Sequence, residues 1–164
     1  MIKDTLYTLV TRVFYIIGKI LYSVIVNRAL GPVGKGLFEL IQLAPRSSDT
    51  GLLLESIDCK EKKVIQSVEQ LTEKIQPLAE HTAILLNGNF NHEHDIEGLL
   101  RSLHSTLPRS GRIVVVAYNP YLRWLYRWAN EFGLRQGEQP STFVTTTDLD
   151  NMARLSNFEV VRTR

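Results

Sequence analysis

Apolar residues recur along the chain in different rhythms, and each rhythm predicts a different kind of element. Fifteen of the twenty-two residues from Thr5 to Val26 are apolar or aromatic, including the unbroken run Val13-Phe14-Tyr15-Ile16-Ile17. On a helical wheel Thr5, Thr8, Arg12, Lys19 and Ser23 collect into a narrow polar stripe, so this segment predicts a hydrophobic helix with a wide apolar face. Gly31-Pro32 should end it, because proline disfavours helical geometry in the preceding residue and glycine accepts a left-handed turn. A second apolar run, Leu37 to Ala44, stops at Pro45, and Arg46-Ser47-Ser48-Asp49 reads as a linker. These signals divide the chain into a hydrophobic or amphipathic helical segment over residues 1–45 and an α/β domain over residues 51–164.

Within the second part, Leu52-Leu53-Leu54 predicts a buried strand. Val64, Ile65, Val68, Leu71 and Ile75 predict a helix over Lys60 to Ile75. From Thr82 strands and helices alternate. Ala83-Ile84-Leu85-Leu86 is a strand delivering the polar loop Asn87-Gly88-Asn89, and Ile96, Leu99, Leu100 and Leu103 share one face of a helix from Asp95 to Leu107. Ile113-Val114-Val115-Val116 is apolar on both faces, as the interior of a parallel sheet requires. Tyr121 to Phe132 predicts a helix with Trp124 and Trp128 one turn apart. Thr146 or Thr147 caps a helix over Asp148 to Leu155, and Phe158 to Val161 closes the chain as a strand. Helices between apolar strands imply an α/β fold with a parallel sheet.

Composition changes this picture little. Nineteen basic against seventeen acidic residues leave a net charge of +2, too small a field to argue for nucleic acid. The one cysteine, Cys59, cannot form an internal disulfide, which makes a reduced cytoplasmic setting the default. Residues 5–26 are long enough to cross a bilayer, but Arg12 and Lys19 lie inside the stretch, where each charge costs about 2.5 to 3.5 kcal/mol. Membrane contact through residues 5–26 and a soluble amphipathic helix covering a core are both open readings. Asp4 and the lack of a small-residue cleavage site argue against a secretory signal.

The wording of the second half resembles the back half of class I S-adenosylmethionine-dependent methyltransferases. The resemblance rests on five pieces in order: the strand and polar loop from Ala83 to His92, the leucine-rich helix end from Leu99 to Leu107, and Pro108 to Arg112 leading into a strand. The helix start from Thr145 to Leu149 and the ending from Asn157 to Val161 complete it. Asn157 stands where the family usually has glycine, and asparagine also tolerates positive φ. Tyr118-Asn119-Pro120-Tyr121 and the region of Trp124 are most similar to methyltransferases found beside bacterial surface-glycan glycosyltransferases. The resemblance implies a partial Rossmann-like sheet, S-adenosylmethionine as cofactor and a glycan or small molecule as methyl acceptor. The glycine-rich cofactor loop is not found, because Gly31, Gly34 and Gly36 follow a helix-like segment rather than a strand. Glu55 or Asp58 could mimic the ribose-binding acid, although a solvent-facing turn carboxylate is the simpler reading of each.

Over about forty-five residues the front of the chain resembles the start of a polysaccharide flippase, on the hydrophobic helix and Ala29 to Phe38. The two resemblances together imply a chain joining pieces of a glycan-export and methyltransferase locus. The alternative to an enzyme is then a non-enzymatic, truncated or membrane-associated remnant.

Asn87, Gly88 and Asn89 are the cofactor-binding candidates, since open α/β sheets bind ligands at the carboxyl ends of their strands; an asparagine- and glycine-rich turn explains them equally well. His92 is the candidate general base for a sugar hydroxyl. Asn119, Tyr121 and Trp124 are assigned to the acceptor. With Trp128, Arg123 and Arg127 the aromatic residues suit a sugar-stacking or interfacial surface, or equally a core-facing helix with arginines reaching outward. No metal is expected at His92, His94, Asp95 and His104, whose spacing matches no closed zinc pattern. An incomplete sheet exposes an unpaired edge, which makes a homo-oligomer an expectation.

Overall fold

The computed structural model describes residues 39–45, 51–74, 81–133 and 138–161. The expected hydrophobic helix over residues 5–26, the bend after it and the linker at 46–49 lie outside the described residues. Among the described residues no helix is long and apolar enough to cross a membrane.

The architecture is α/β: a four-stranded, fully parallel sheet with helices on both faces. Chain order runs β1 (Glu39–Leu43), α1 (Leu52–Ser56), β2 (Glu61–Ile65), α2 (Glu69–Lys74), β3 (Thr82–Asn87), α3 (Ile96–Thr106), β4 (Arg112–Val116), α4 (Arg123–Glu131) and α5 (Thr146–Leu155). In space the strands lie β2-β1-β3-β4. Side chains alternate across the sheet as strand geometry demands. Ile41, Leu43, Ile84 and Leu86 enter one core with Leu71 of α2, Leu100 and Leu103 of α3, and Leu149 of α5. Leu40, Ala83 and Leu85 enter the other with Leu53 and Ile57 at α1. Each such leucine or isoleucine, fully buried, contributes about 1.5 to 3 kcal/mol.

Several expectations are corrected. Leu37 to Ala44 is not an appendage of the first segment: Glu39–Leu43 is an inner strand, paired on both sides, so the sheet begins before the linker rather than after it. Residues Leu52–Ser56 are a short helix instead of a strand, started by Gly51 in the left-handed conformation at φ 72°. The expected helix over Lys60 to Ile75 is a strand followed by a helix. Ile65, Val68 and Leu71 all reach one core because a turn carries the chain from β2 into α2, and this imitates helical spacing. β2 exposes Glu61, Lys62, Lys63 and Val64, the charged character that suits a sheet edge. Phe158 to Val161 forms no strand. Phe158 packs edge-on against His104, with ring centroids 5.2 Å apart, while Val161 is exposed, and no neighbouring strand among the described residues pairs with the segment.

Asp95 caps α3 by accepting the N–H of Gly98 at 2.8 Å. Thr145, rather than Thr146 or Thr147, caps α5 in a reciprocal capping box with Asp148. Asn157 adopts φ 62°, and the N–H groups of Asn157 and Phe158 donate to the carbonyls of Arg154 and Ala153, closing α5 in a Schellman turn.

Buried Glu39 on β1 is neutralised by Lys63 on β2 and accepts the hydroxyl of Thr82 on β3 at 3.2 Å. This group ties three strands together at their amino ends, away from the ends where ligands bind in such sheets.

Candidate functional site

The crossover from β1 to β2 uses α1 on one face, and the crossover from β2 back to β3 uses α2 on the other. Connections leaving β1 and β3 therefore diverge, and the carboxyl ends of these two strands flank a topological switch point, where open α/β sheets form their ligand crevice. The candidate site is built there by the loop after β1 and the loop after β3.

β3 ends at Asn87, opposite Val116 of β4. Gly88 turns the chain with φ 71°, and its N–H donates to the carbonyl of Val116 at 2.8 Å. A left-handed residue is needed at that turn, and the ring of Tyr118 lies against it: a Cβ on Gly88 would sit 3.5 Å from the Tyr118 hydroxyl oxygen. A 3-10 turn, Asn89–Asn91, follows with all three residues buried.

The two buried asparagines do different work. Asn91 Oδ1 accepts the N–H of Tyr118, and Asn91 Nδ2 donates to the carbonyl of Thr142, both at 2.8 Å. Its backbone carbonyl accepts from the N–H groups of Ser141 (2.9 Å) and Thr142 (3.1 Å). Asn91 thus fastens three segments together, with both ends of its amide engaged by backbone. Asn89 Nδ2 reaches across the switch point and donates to the carbonyls of Leu43 (3.1 Å) and Ala44 (3.3 Å) at the exit of β1. Asn89 Oδ1 is buried with no hydrogen-bond partner. An orphaned buried acceptor is costly. It lies beside Ala44, which holds φ 34°, a conformation alanine seldom adopts.

Of the expected cofactor residues, Asn87, Gly88 and Asn89 therefore stand at the carboxyl ends of the inner strands. His92 follows directly; its side chain is almost fully enclosed, with Nδ1 4.0 Å from a carboxylate oxygen of Glu138. Asn119 accepts the N–H of Tyr121 at 2.9 Å and so caps the 3-10 turn Pro120–Leu122. Tyr121 and Trp124 are 82% and 68% exposed, unlike the buried asparagines. The core-facing reading of this helix is overturned, because Trp124 and Trp128 face outward.

Glu55 and Asp58 do not reach the crevice. Leu52–Ser56 is a helix returning to the start of β2, which puts Asp58 at the amino end of the sheet. The carboxylate that does stand beyond the carboxyl end of β2 is Glu69, in the first turn of α2. A hydrogen bond from Ser67, and then its own backbone N–H, hold its carboxyl below the ordinary range. Sequence periodicity missed Glu69 because β2 was absorbed into a longer helix; the run of charges before Val64-Ile65 was the available signal for an edge strand.

Among the described residues no group of three His, Cys, Asp or Glu side chains is placed to hold a metal ion. Comparison with protein-family models, curated proteins and solved structures finds no match to this chain.

Proposed function

We propose that the chain is a methyltransferase-related protein of bacterial surface-glycan metabolism that takes S-adenosylmethionine at the β1/β3 switch point and transfers its methyl group to a small-molecule or glycan acceptor. The observation that carries this reading is Asn89 Oδ1, a buried acceptor without a partner at the crevice between the two inner strands. It suits a ligand N–H or ammonium donor. Glu69, kept ionised beyond β2, suits ribose hydroxyls, and Gly88 with Asn87 offers backbone close to the same crevice. When bound, the cofactor supplies an electrophilic methyl group; the chain's own part is positioning. His92 is the residue this reading assigns to accept the acceptor's hydroxyl proton.

The test is calorimetric titration of the folded chain with S-adenosylmethionine. Binding that weakens in Glu69→Gln, an exposed substitution at a helix start, is the expected result. No heat at millimolar cofactor sinks the proposal. The same result would favour a second reading, a non-enzymatic relative. That reading is supported by the β1–α1 connection, which has no glycine between Leu43 and Gly51 and whose first carbonyls are already engaged by Asn89.

A further inference from the structure

Helix α4 and the turn before it present their apolar residues to solvent. At about 100° per residue, Tyr121, Trp124, Leu125, Trp128 and Phe132 fall on one stripe roughly 100° wide. All five are exposed, by 82, 68, 37, 46 and 58% respectively. The opposite side of the helix is the one held by the protein: Tyr126 lies between the rings of Tyr118 (5.0 Å) and Phe143 (6.2 Å), and the Arg123 guanidinium sits over Phe143 at 5.4 Å. The usual amphipathic arrangement is reversed. A contiguous exposed row of this kind marks a binding surface rather than ordinary surface scatter.

Three observations select a lipid surface as the occupant. The stripe is dominated by tryptophan, tyrosine and phenylalanine, with the indole and phenol rings suited to the boundary between headgroups and acyl chains. Arg127 is exposed beside the stripe and is not ion-paired with a described carboxylate, so it is free to meet anionic headgroups, whereas Arg123 is engaged with Phe143 on the other side; Glu131 is the single acid between Tyr121 and Phe132. The chain also carries the apolar stretch at residues 5–26, and lasting membrane attachment generally takes two signals.

We propose that the Tyr121–Phe132 face docks in the headgroup plane of an anionic phospholipid membrane. This surface is independent of whether the crevice binds S-adenosylmethionine.

The chain has two tryptophans, and both lie on the stripe, so emission excited at the red edge, where tyrosine does not absorb, reports this surface. Adding phosphatidylglycerol-containing vesicles shifts the emission to shorter wavelength, and lipids brominated near the headgroup quench it; pure phosphatidylcholine vesicles do so more weakly. In co-sedimentation with anionic vesicles, Arg127→Gln lowers partitioning by about fivefold. Trp124→Ala with Trp128→Ala, checked for native circular dichroism, loses most of the vesicle-bound fraction. Emission unmoved by anionic vesicles, or undiminished pelleting of the double tryptophan variant, overturns the proposal; the latter would place the membrane contact in residues 5–26. A blue shift that rises with protein concentration without lipid, alongside a dimer mass by light scattering, would overturn it in favour of a second copy. A shift produced by soluble oligosaccharide and not by vesicles would do so in favour of sugar stacking.

Discussion

The side-chain amide of Asn91 accepts the backbone N–H of Tyr118 at 2.8 Å, so one fully buried group joins the exit of β3 to the exit of β4. Its other end holds the carbonyl of Thr142, which brings in the segment leading to α5. Asn91→Ala leaves that N–H and that carbonyl unpaired and opens a small cavity. The expected loss is about 2 to 4 kcal/mol in urea unfolding. A loss below about 0.5 kcal/mol would mean that water replaces the amide at no cost.

Gly88→Ala tests the turn that delivers the asparagines. Space is not the obstacle, since the added Cβ would be in ordinary contact with the Tyr118 hydroxyl at 3.5 Å; the positive φ is. The expected cost is about 1 to 2 kcal/mol, read as a lower urea midpoint with an unchanged slope. A changed slope would indicate instead that the loop rearranges.

Lys63 and Glu39 form a pair with one buried and one half-exposed partner. The hydrogen bond to Glu39 holds the Lys63 ammonium above its ordinary pKa of 10.5, so its contribution is complete below that pH and fades as pH rises through the folded-state value. Lys63→Ala strands the Glu39 carboxylate in the sheet. Allowing for screening of the exposed partner, this costs about 1 to 3 kcal/mol at neutral pH. Adding Glu39→Gln should recover part of the loss, and a double-mutant cycle on urea midpoints checks it. Strict additivity would show the pair to be uncoupled.

Asp148 closes the capping box of α5. Hydrogen bonds from the Thr145 hydroxyl, first, and the Thr145 backbone N–H hold its carboxyl below the ordinary value of 3.8. The stabilisation is therefore full above that value and disappears as pH falls through the lower folded-state pKa. Asp148→Asn should lower stability at neutral pH and flatten the acid limb of the stability curve. An acid limb identical to the wild type would remove Asp148 from the acid response.

Legibility followed locality. The start of α3 could be read because its capping carboxylate lies three residues from the N–H it serves, and the end of α5 because Asn157 tolerates the left-handed turn; at the start of α5 three consecutive threonines left the capping hydroxyl open, and the bond from Asp148 selects Thr145. β3 and β4 announced themselves as apolar runs, as strands buried on both faces do. β1 did not: five residues before Pro45 look alike whether they end a helical segment or fill the centre of a sheet. β2 was hidden by its edge position, which lets charges occupy most of it.

What the sequence determined alone was the α/β class and the asparagine loop after β3, because hydrophobic period and turn chemistry act over a few residues. Tertiary structure decided the rest. Pairing across the sheet made Glu39–Leu43 a strand and left Phe158 to Val161 without one, since a strand exists only with a hydrogen-bonding neighbour. It also separated Asn91, held at both ends of its amide by backbone from distant segments, from Asn89, left with a free buried acceptor. It turned the tryptophans of α4 outward as well, because which face of a helix meets the core depends on the partners the fold brings to it.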